Sequence, residues 1–429
     1  MRHIHKYYPK NVNTFKKQLL AWSQAFDEIV WLDSNSFKSA YSNFDAVLAV
    51  GALTSISTDY HQAFQNLKEY QTNTKDWIFG YLSYDLKNDV EALVSNNFDG
   101  LEFPELVFFQ PKKLFFIKEG MVELHYLTMV AHEMETDLSS IQSCVLEAYK
   151  TQDKIKVKLR INKDEYHSKV EKLLEHIHRG DVYEANFCQE FYAEEVAINP
   201  LQIYNNLNQI SNPPFATFLK FYDKYLLSAS PERYLKKTGN SLLSQPIKGT
   251  SRRSEDPIED NQLKAHLKAD EKERSENIMI VDLVRNDLSR TAMKGSVTVE
   301  ELCEVYTFQQ VHQMISTITS KISNDVHPVD VIKTTFPMGS MTGAPKVSAM
   351  TIIEQLEETK RGLYSGAVGY FSPAGDFDFN VVIRSILYNK TKQYVSYSVG
   401  GAITAKSEPA KEYEECLVKA KAMREVLEN

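Results

Sequence analysis

A lysine in a confined loop, a carboxylate 16 residues before it and two pairs of glutamates at helical spacing are the groups here that could run a reaction. The lysine is Lys248, within Gln245-Pro246-Ile247-Lys248-Gly249-Thr250. Pro246 fixes its own φ, and Gly249 lets backbone come close to a ligand. A lysine between apolar Ile247 and compact Gly249 can lose hydration, so that its pKa falls and the free amine becomes a nucleophile. On its own, such a short stretch is more often a surface turn. Glu232 follows Pro231 at a strand end, where a carboxylate can face a cleft, although a lone residue there is more often a surface charge. Strand-like Tyr234–Lys236 and Leu242–Ser244 lie between Glu232 and Lys248, and a hairpin there could bring the two side chains together. Glu273 and Glu276 can point the same way from one helix, while Glu412, Glu415 and Lys419 fall at i, i+3 and i+7 on another. Two Glu-x-x-Glu helices opposed across a cleft would offer hard oxygen ligands to Mg²⁺, with Lys419 able to meet a substrate carboxylate. Solvated helix faces are the plain alternative.

These groups need elements to position them. Asn162-Lys163-Asp164-Glu165 has the form of a capping box and opens a helix that Gly180 ends. A strand over Asp181–Phe191 follows, with Glu184, Asn186 and Cys188 on one face. Ala216–Leu219 and Tyr225–Ala229 predict a hairpin. Asp256-Pro257 opens a mostly helical region reaching Arg290, and Ser407 caps a last helix with Pro409 in its first turn. Thr335 to Lys346 is a glycine-punctuated loop entering a helix, suited to a bound carboxylate though not a P-loop. Arg361–Tyr370, Asp378–Ser385 and Tyr394–Val399 read as strands, the last ending in Gly400-Gly401-Ala402, where backbone can approach a ligand. Arg384, among apolar residues, is expected to meet a carboxylate. His176 and His178 sit two apart on a helix and read as surface residues rather than metal ligands. Residues 1–150 are expected to be a structural α/β half, with a helix from Val12 to Phe26 and short strands at Ile29–Ser34, Asp45–Gly51, Trp77–Leu82, Leu106–Phe109, Lys113–Lys118 and Glu123–Val130. A polar, helical linker over about 131–157 leads to the catalytic region, 151–429.

With 429 residues, the chain has room for two domains or one large one. A net charge of -8 without a basic stripe argues against a nucleic-acid partner, and a site for an anion must then supply its own positive charge. Cys144, Cys188, Cys303 and Cys416 form no CxxC pair, as expected of reduced thiols in a cytoplasmic protein. The start lacks the apolar core of a signal peptide, and no apolar run has the length of a membrane span.

Ser230-Pro231-Glu232-Arg233, Pro246–Thr250, Glu276–Arg290, Phe336–Lys346, Arg361–Tyr370, Asp378–Arg384 and Glu412–Lys419, in this order, resemble the chorismate-utilising enzymes over about residues 160–427. Trp31-Leu32-Asp33-Ser34 and Phe44-Asp45 extend the resemblance more weakly into the first half. It implies an α+β fold, a large two-lobed sandwich of mostly antiparallel sheets with helices on the outside and the two halves interleaved. It also implies Mg²⁺ held by Glu276 and Glu415, with Glu273 and Glu412 as second members. Tyr364, Arg384 and Lys419 match residues that hold substrate carboxylates, with Ser340, Thr250 and the Gly400-Gly401-Ala402 backbone beside them. His312 matches a histidine kept near the ring.

Within the family, anthranilate synthases carry PIAGT, whereas PIKGT is characteristic of the enzymes that aminate chorismate at C4. The resemblance therefore implies attack by Lys248 on ring C2, departure of the C4 hydroxyl with Glu232 as general acid, and displacement of the lysine by ammonia to give 4-amino-4-deoxychorismate on the route to 4-aminobenzoate and folate. The strand position where isochorismate and salicylate synthases place a lysine base is here Glu184, a position where glutamine is common in the aminating enzymes. The family glutaminase's cysteine block is missing from the sequence, so ammonia is expected from a separate glutamine amidotransferase or from solution. No lyase domain is expected either. An anthranilate synthase that tolerates lysine at 248, and a non-catalytic chorismate-binding regulatory subunit, are the alternatives.

Overall fold

A computed structural model describes residues 1–37, 41–146, 154–308 and 311–428. The expected boundary at 150 lies outside the described residues, as does part of the linker.

Two antiparallel sheets diverge from one long strand, Leu106–Lys118. Sequence patterning suggests two strands here, because Pro111 interrupts the run. Pro111 has no N–H to donate, and it sits where strand Ile78–Leu82 stops pairing on one side, where Met121–Leu127 starts, and opposite the register shift between Ala52 and Thr54 on the other. The strand therefore passes through the proline intact. One sheet runs from Arg2–Tyr7 through Met121–Leu127, Leu106–Lys118, Ala46–Thr58, Glu28–Asp33, Phe215–Phe221, Lys224–Ser230, Ser385–Asn389 and Tyr394–Thr404 to Glu184–Ala193. The other runs from Ile78–Leu82 through Ala367–Phe371, Phe377–Val381, Arg233–Thr238 and Ser241–Gln245 to Val311–Lys321, which also pairs with Ile247–Arg252 and Thr298–Thr307. Strands from the first 150 residues thus pair directly with later ones, and the fold is an α+β two-lobed sandwich.

Its interior is a single buried cluster that draws Val30, Leu219 and Leu387 from the first sheet and Leu235, Phe371 and Phe379 from the second. Each such side chain contributes about 1.5–3 kcal/mol through removal from water. Helices Val12–Ser23, Pro200–Ser211 and Pro409–Glu428 cover the outer face of the first sheet through Phe15, Leu207 and Met423. Helix Lys163–Arg179 has the expected capping box between Asn162 and Glu165 and stops at Gly180, whose φ is 90°. The helical region after Asp256 is two helices, Pro257–Ala269 and Glu271–Ser289, because Asp270 breaks the first and caps the second through Glu273 N. Arg361–Gly366 is a turn rather than strand, held by buried Arg361, which donates to both Glu357 oxygens and to Met341 O. The Asp378–Ser385 run breaks at Arg384, whose φ of 53° carries the chain from one sheet to the other.

Candidate functional site

Hairpin Arg233–Thr238/Ser241–Gln245 sets Glu232 just before its first strand and Lys248 just after its second. The register shift between Arg233 and Lys236 bends the hairpin, and both side chains line one cavity of about 400 Å³. Gly249 has a φ of 96°, and a Cβ there would lie 3.2 Å from a Glu273 carboxylate oxygen, so only glycine lets the Lys248 loop pass this close to helix Glu271–Ser289. Glu232 is 4 % exposed. Burial lifts its carboxyl to about 7, partly offset by a hydrogen bond from Ser340 and by the Lys248 charge. Such a group can donate a proton at neutral pH.

Lys248 departs from expectation. Burial acts to lower its pKa, but the charges of Glu184, Glu276 and Glu232 outweigh that and hold it above the ordinary lysine value. Its Nζ donates to Glu184 Oε1 at 3.3 Å. The pocket that sequence suggests is apolar is lined by carboxylates, and the resting lysine is an ammonium.

Helices Glu271–Ser289 and Pro409–Glu428 bring all four predicted glutamates to the same cavity. Glu276 Oε1 is buried without a hydrogen-bond partner. Burial raises the pKa of Glu276 to about 7 and also raises those of Glu273 and Glu412. For Glu415 the same burial effect is overcome by Lys419, whose Nζ lies 2.6 Å away, and its pKa is lowered. Lys272, which sequence reasoning missed, stands 3.8 Å from both Glu276 and Glu412. It lies in the first turn of helix Glu271–Ser289, and its i,i+4 spacing to Glu276 was the available signal. Drawn towards Lys272 and Lys419, the carboxylates form no cluster of three or more metal-ligating groups among the described residues. Their chemistry fits a hard divalent cation: oxygen-only donors, from buried Glu412 through half-buried Glu273 and Glu276 to exposed Glu415, with one oxygen orphaned. A Cβ on Gly401 would lie 3.4 Å from Glu412 and 3.8 Å from Glu415, so glycine leaves that space open. Ser407 does not cap this helix's backbone in the expected way; its hydroxyl accepts from Thr404 N and bonds Glu412.

The rest of the cavity wall is cationic and polar. Arg384 was expected beside a carboxylate; it donates to Lys419 O at 3.2 Å, and no carboxylate is within ion-pair distance of it among the described residues. Its guanidinium is left to face the cavity, and burial lowers its pKa. Lys419 Nζ also donates to Gly400 O at 3.0 Å. Ser340, Tyr364, Thr250, Gly400, Gly401 and Ala402 complete this wall, and Tyr364 packs its hydroxyl 3.5 Å from Cys188 Sγ.

One expectation fails here. His312 is turned out of the cavity: its ring lies 2.9 Å from Asp260 Oδ1 and 3.0 Å from Thr307 Oγ1. Neighbours on a strand face opposite ways, so Val311 and Gln313 line the cavity instead. In the 335–346 loop, Ser340 and Met341 reach the cavity, but Lys346 turns inward to Asp287 at 2.6 Å. His176, read as a surface residue, bonds Asp181 at 2.7 Å.

A sandwich of this topology, with a lysine, a buried acid and paired glutamates in one cleft, defines a class of chorismate-binding enzymes. The chorismate binding enzyme family matches residues 27–425, and the chain belongs to it. An anthranilate synthase component I-like protein of Synechocystis is 34% identical over 369 residues, covering 85% of this chain and 75% of the relative. The aminodeoxychorismate synthase of Streptomyces griseus is 43% identical over 274 residues, 63% of this chain and only 37% of that protein's length. Other aminodeoxychorismate synthases are likewise matched over about a third of their length. The crystal structure of anthranilate synthase component I from Streptococcus pneumoniae superposes with a TM-score of 0.78 at 25% identity, over 90% of this chain and 93% of that one. No helix among the described residues is long and apolar enough to cross a membrane.

Proposed function

We propose that this chain is the chorismate-aminating component of an aminodeoxychorismate synthase, converting chorismate and ammonia to 4-amino-4-deoxychorismate. The observation that carries the proposal is the pairing, in one cavity, of a lysine amine with a carboxyl whose pKa is about 7. The aminodeoxychorismate synthases among its relatives, including that of Streptomyces griseus, support the same reading.

Lys248 Nζ, once it has lost its proton, bonds to ring C2. The two conjugated ring double bonds shift, the C4–O bond breaks, and Glu232 gives its proton to the departing oxygen, which leaves as water. Ammonia then bonds to C4, both double bonds shift back and the C2–Nζ bond breaks, restoring the lysine amine. The extra proton on the new C4 nitrogen returns to Glu232. Arg384, Tyr364, Lys419, Ser340, Thr250 and the Gly400–Ala402 backbone hold the substrate carboxylates, with Arg384 as the unpaired cation that a carboxylate completes. Glu276 and Glu415, backed by Glu273 and Glu412, would hold Mg²⁺, which when bound supplies positive charge to a substrate carboxylate. Ammonia comes from a glutamine amidotransferase partner. His312 takes no part.

The test is incubation of the purified chain with chorismate, Mg²⁺ and an ammonium salt, with products resolved by mass and absorbance. The expected product is 4-amino-4-deoxychorismate, abolished by Lys248→Ala. Anthranilate in its place would move the chain to the other amination chemistry.

A further inference from the structure

The resting state poses a problem for that chemistry: the nucleophile begins as an ammonium, and something must take its proton. Among the described residues, one carboxylate bonds it. Glu184 opens strand Glu184–Ala193 and is fixed on both sides, paired with Ala344 and with Thr404. Its residue is 1 % exposed. Oε1 accepts the Lys248 bond at 3.3 Å, while Oε2 is buried with no hydrogen-bond partner. A carboxylate so placed has unspent acceptor capacity in contact with the lysine's protons. The other carboxylates that face Lys248, namely Glu276, Glu232 and Glu415, act on it through space, and none lies within ion-pair distance of it among the described residues. Glu232 is assigned to the leaving oxygen and cannot accept the lysine's proton while giving up its own.

We propose that Glu184 is the proton acceptor that converts Lys248 from ammonium to free amine for attack on the ring, and that it returns the proton when the lysine is released. This rests on the amination chemistry above and assigns its first step. A proton passes from Lys248 Nζ to Glu184. The freed lone pair forms the C–N bond, and Glu232 separately protonates the departing hydroxyl. After ammonia has displaced the lysine as a neutral amine, Glu184 gives the proton back. No external base or acid is consumed. A glutamine at this position would keep a hydrogen-bond partner for Lys248 but could not hold the proton.

A base and a mere restraint predict opposite signs. If Glu184 only pins Lys248 as an ammonium, Glu184→Gln frees the amine and raises the rate at pH 7. If it is the acceptor, Glu184→Gln lowers kcat at pH 7 by about 10²-fold, with KM for chorismate changed by less than about threefold. The rate should then climb with pH, as hydroxide replaces the lost base. Glu184→Asp, which keeps a carboxylate on a shorter arm, recovers part of kcat and guards against misfolding of the glutamine variant. A second readout needs no turnover: acetic anhydride labelling of Lys248, followed by peptide mass spectrometry, should be slower at pH 7 in Glu184→Gln than in the wild type, because the acceptor that frees the amine is gone. Equal or higher kcat in Glu184→Gln at pH 7, or equal or faster Lys248 labelling, overturns the proposal. Wild-type protein that makes no 4-amino-4-deoxychorismate sinks the proposed function instead, and labelling alone then judges whether Glu184 controls the lysine's proton.

Discussion

Lys346 and Lys248 are both buried lysines beside a carboxylate, in different parts of the molecule. Lys346 donates to Asp287 Oδ2 at 2.6 Å, to Pro337 O at 2.9 Å and to Thr335 O at 3.1 Å, so all three of its protons are used. Burial lowers its pKa, with the Asp287 charge acting against the fall. It ties the loop that carries Ser340 to helix Glu271–Ser289. Lys248 has one acceptor, a cavity in front of it and more negative charge around it than it can bond. The difference separates a structural lysine from a chemical one. Saturated hydrogen bonding in a closed space holds a fold together, whereas a charged, under-bonded group facing a cavity has somewhere to react.

Exchanging each lysine for alanine sharpens that contrast most. Lys248→Ala is expected to lower product formation by more than about 10⁴-fold, as loss of a covalent nucleophile does. Its effect on stability should be small, because the neighbouring carboxylates can hydrate in the cavity. Lys346→Ala leaves Asp287 buried and unpaired, and should cost about 3–5 kcal/mol in urea unfolding. Replacing both partners by apolar residues should restore much of that loss. Equal stability losses in the two alanine variants would break the comparison.

The acid side of the cleft gives the next largest effect. Glu232→Gln is expected to reduce kcat by roughly 10²–10³-fold. In the wild type, the rate should fall as pH rises through about 7, because Glu232 must be protonated to act, and a pH profile of kcat checks this. Stability follows the same sign. The Glu276 pKa is raised on folding to about 7, so the folded state favours the proton. That contribution is complete below the unfolded glutamate value, about 4.3, and is lost as pH rises through about 7. Glu276→Gln should therefore raise the urea midpoint at pH 8 and change it much less at pH 4. The smallest effect is expected at Lys272, an exposed ammonium between two glutamates. Lys272→Met should tighten apparent Mg²⁺ activation by only about two- to fivefold, measured from the rate against Mg²⁺ concentration.

Much of the scaffold was legible because its signals are local. The Asn162/Glu165 capping box, the Asp256-Pro257 helix start and the hairpin between Glu232 and Lys248 each depend on a few adjacent residues, and each is present. The Glu-x-x-Glu spacing also put four carboxylates on the cleft side of their helices. What failed depended on partners distant in the chain. Pro111 reads as a strand break until the flanking strands on either side of it are known. His312 and Gln313 exchange roles through a one-residue choice of face, set by pairing of Ser251 with His312 and by the reach of Asp260.

The sequence by itself determined the reactive inventory: one loop lysine held between a proline and a glycine, one acid ahead of it, and two glutamate stripes. It also determined, through local caps and turns, the elements that carry them. Only the tertiary structure decided the surplus of negative charge around Lys248, the lack of an ion-pair partner for Arg384 among the described residues and the place of Lys272 between Glu276 and Glu412. The reason is electrostatic. Charge interactions depend on separation through space and on the depth of burial, and neither is written in the order of residues along the chain.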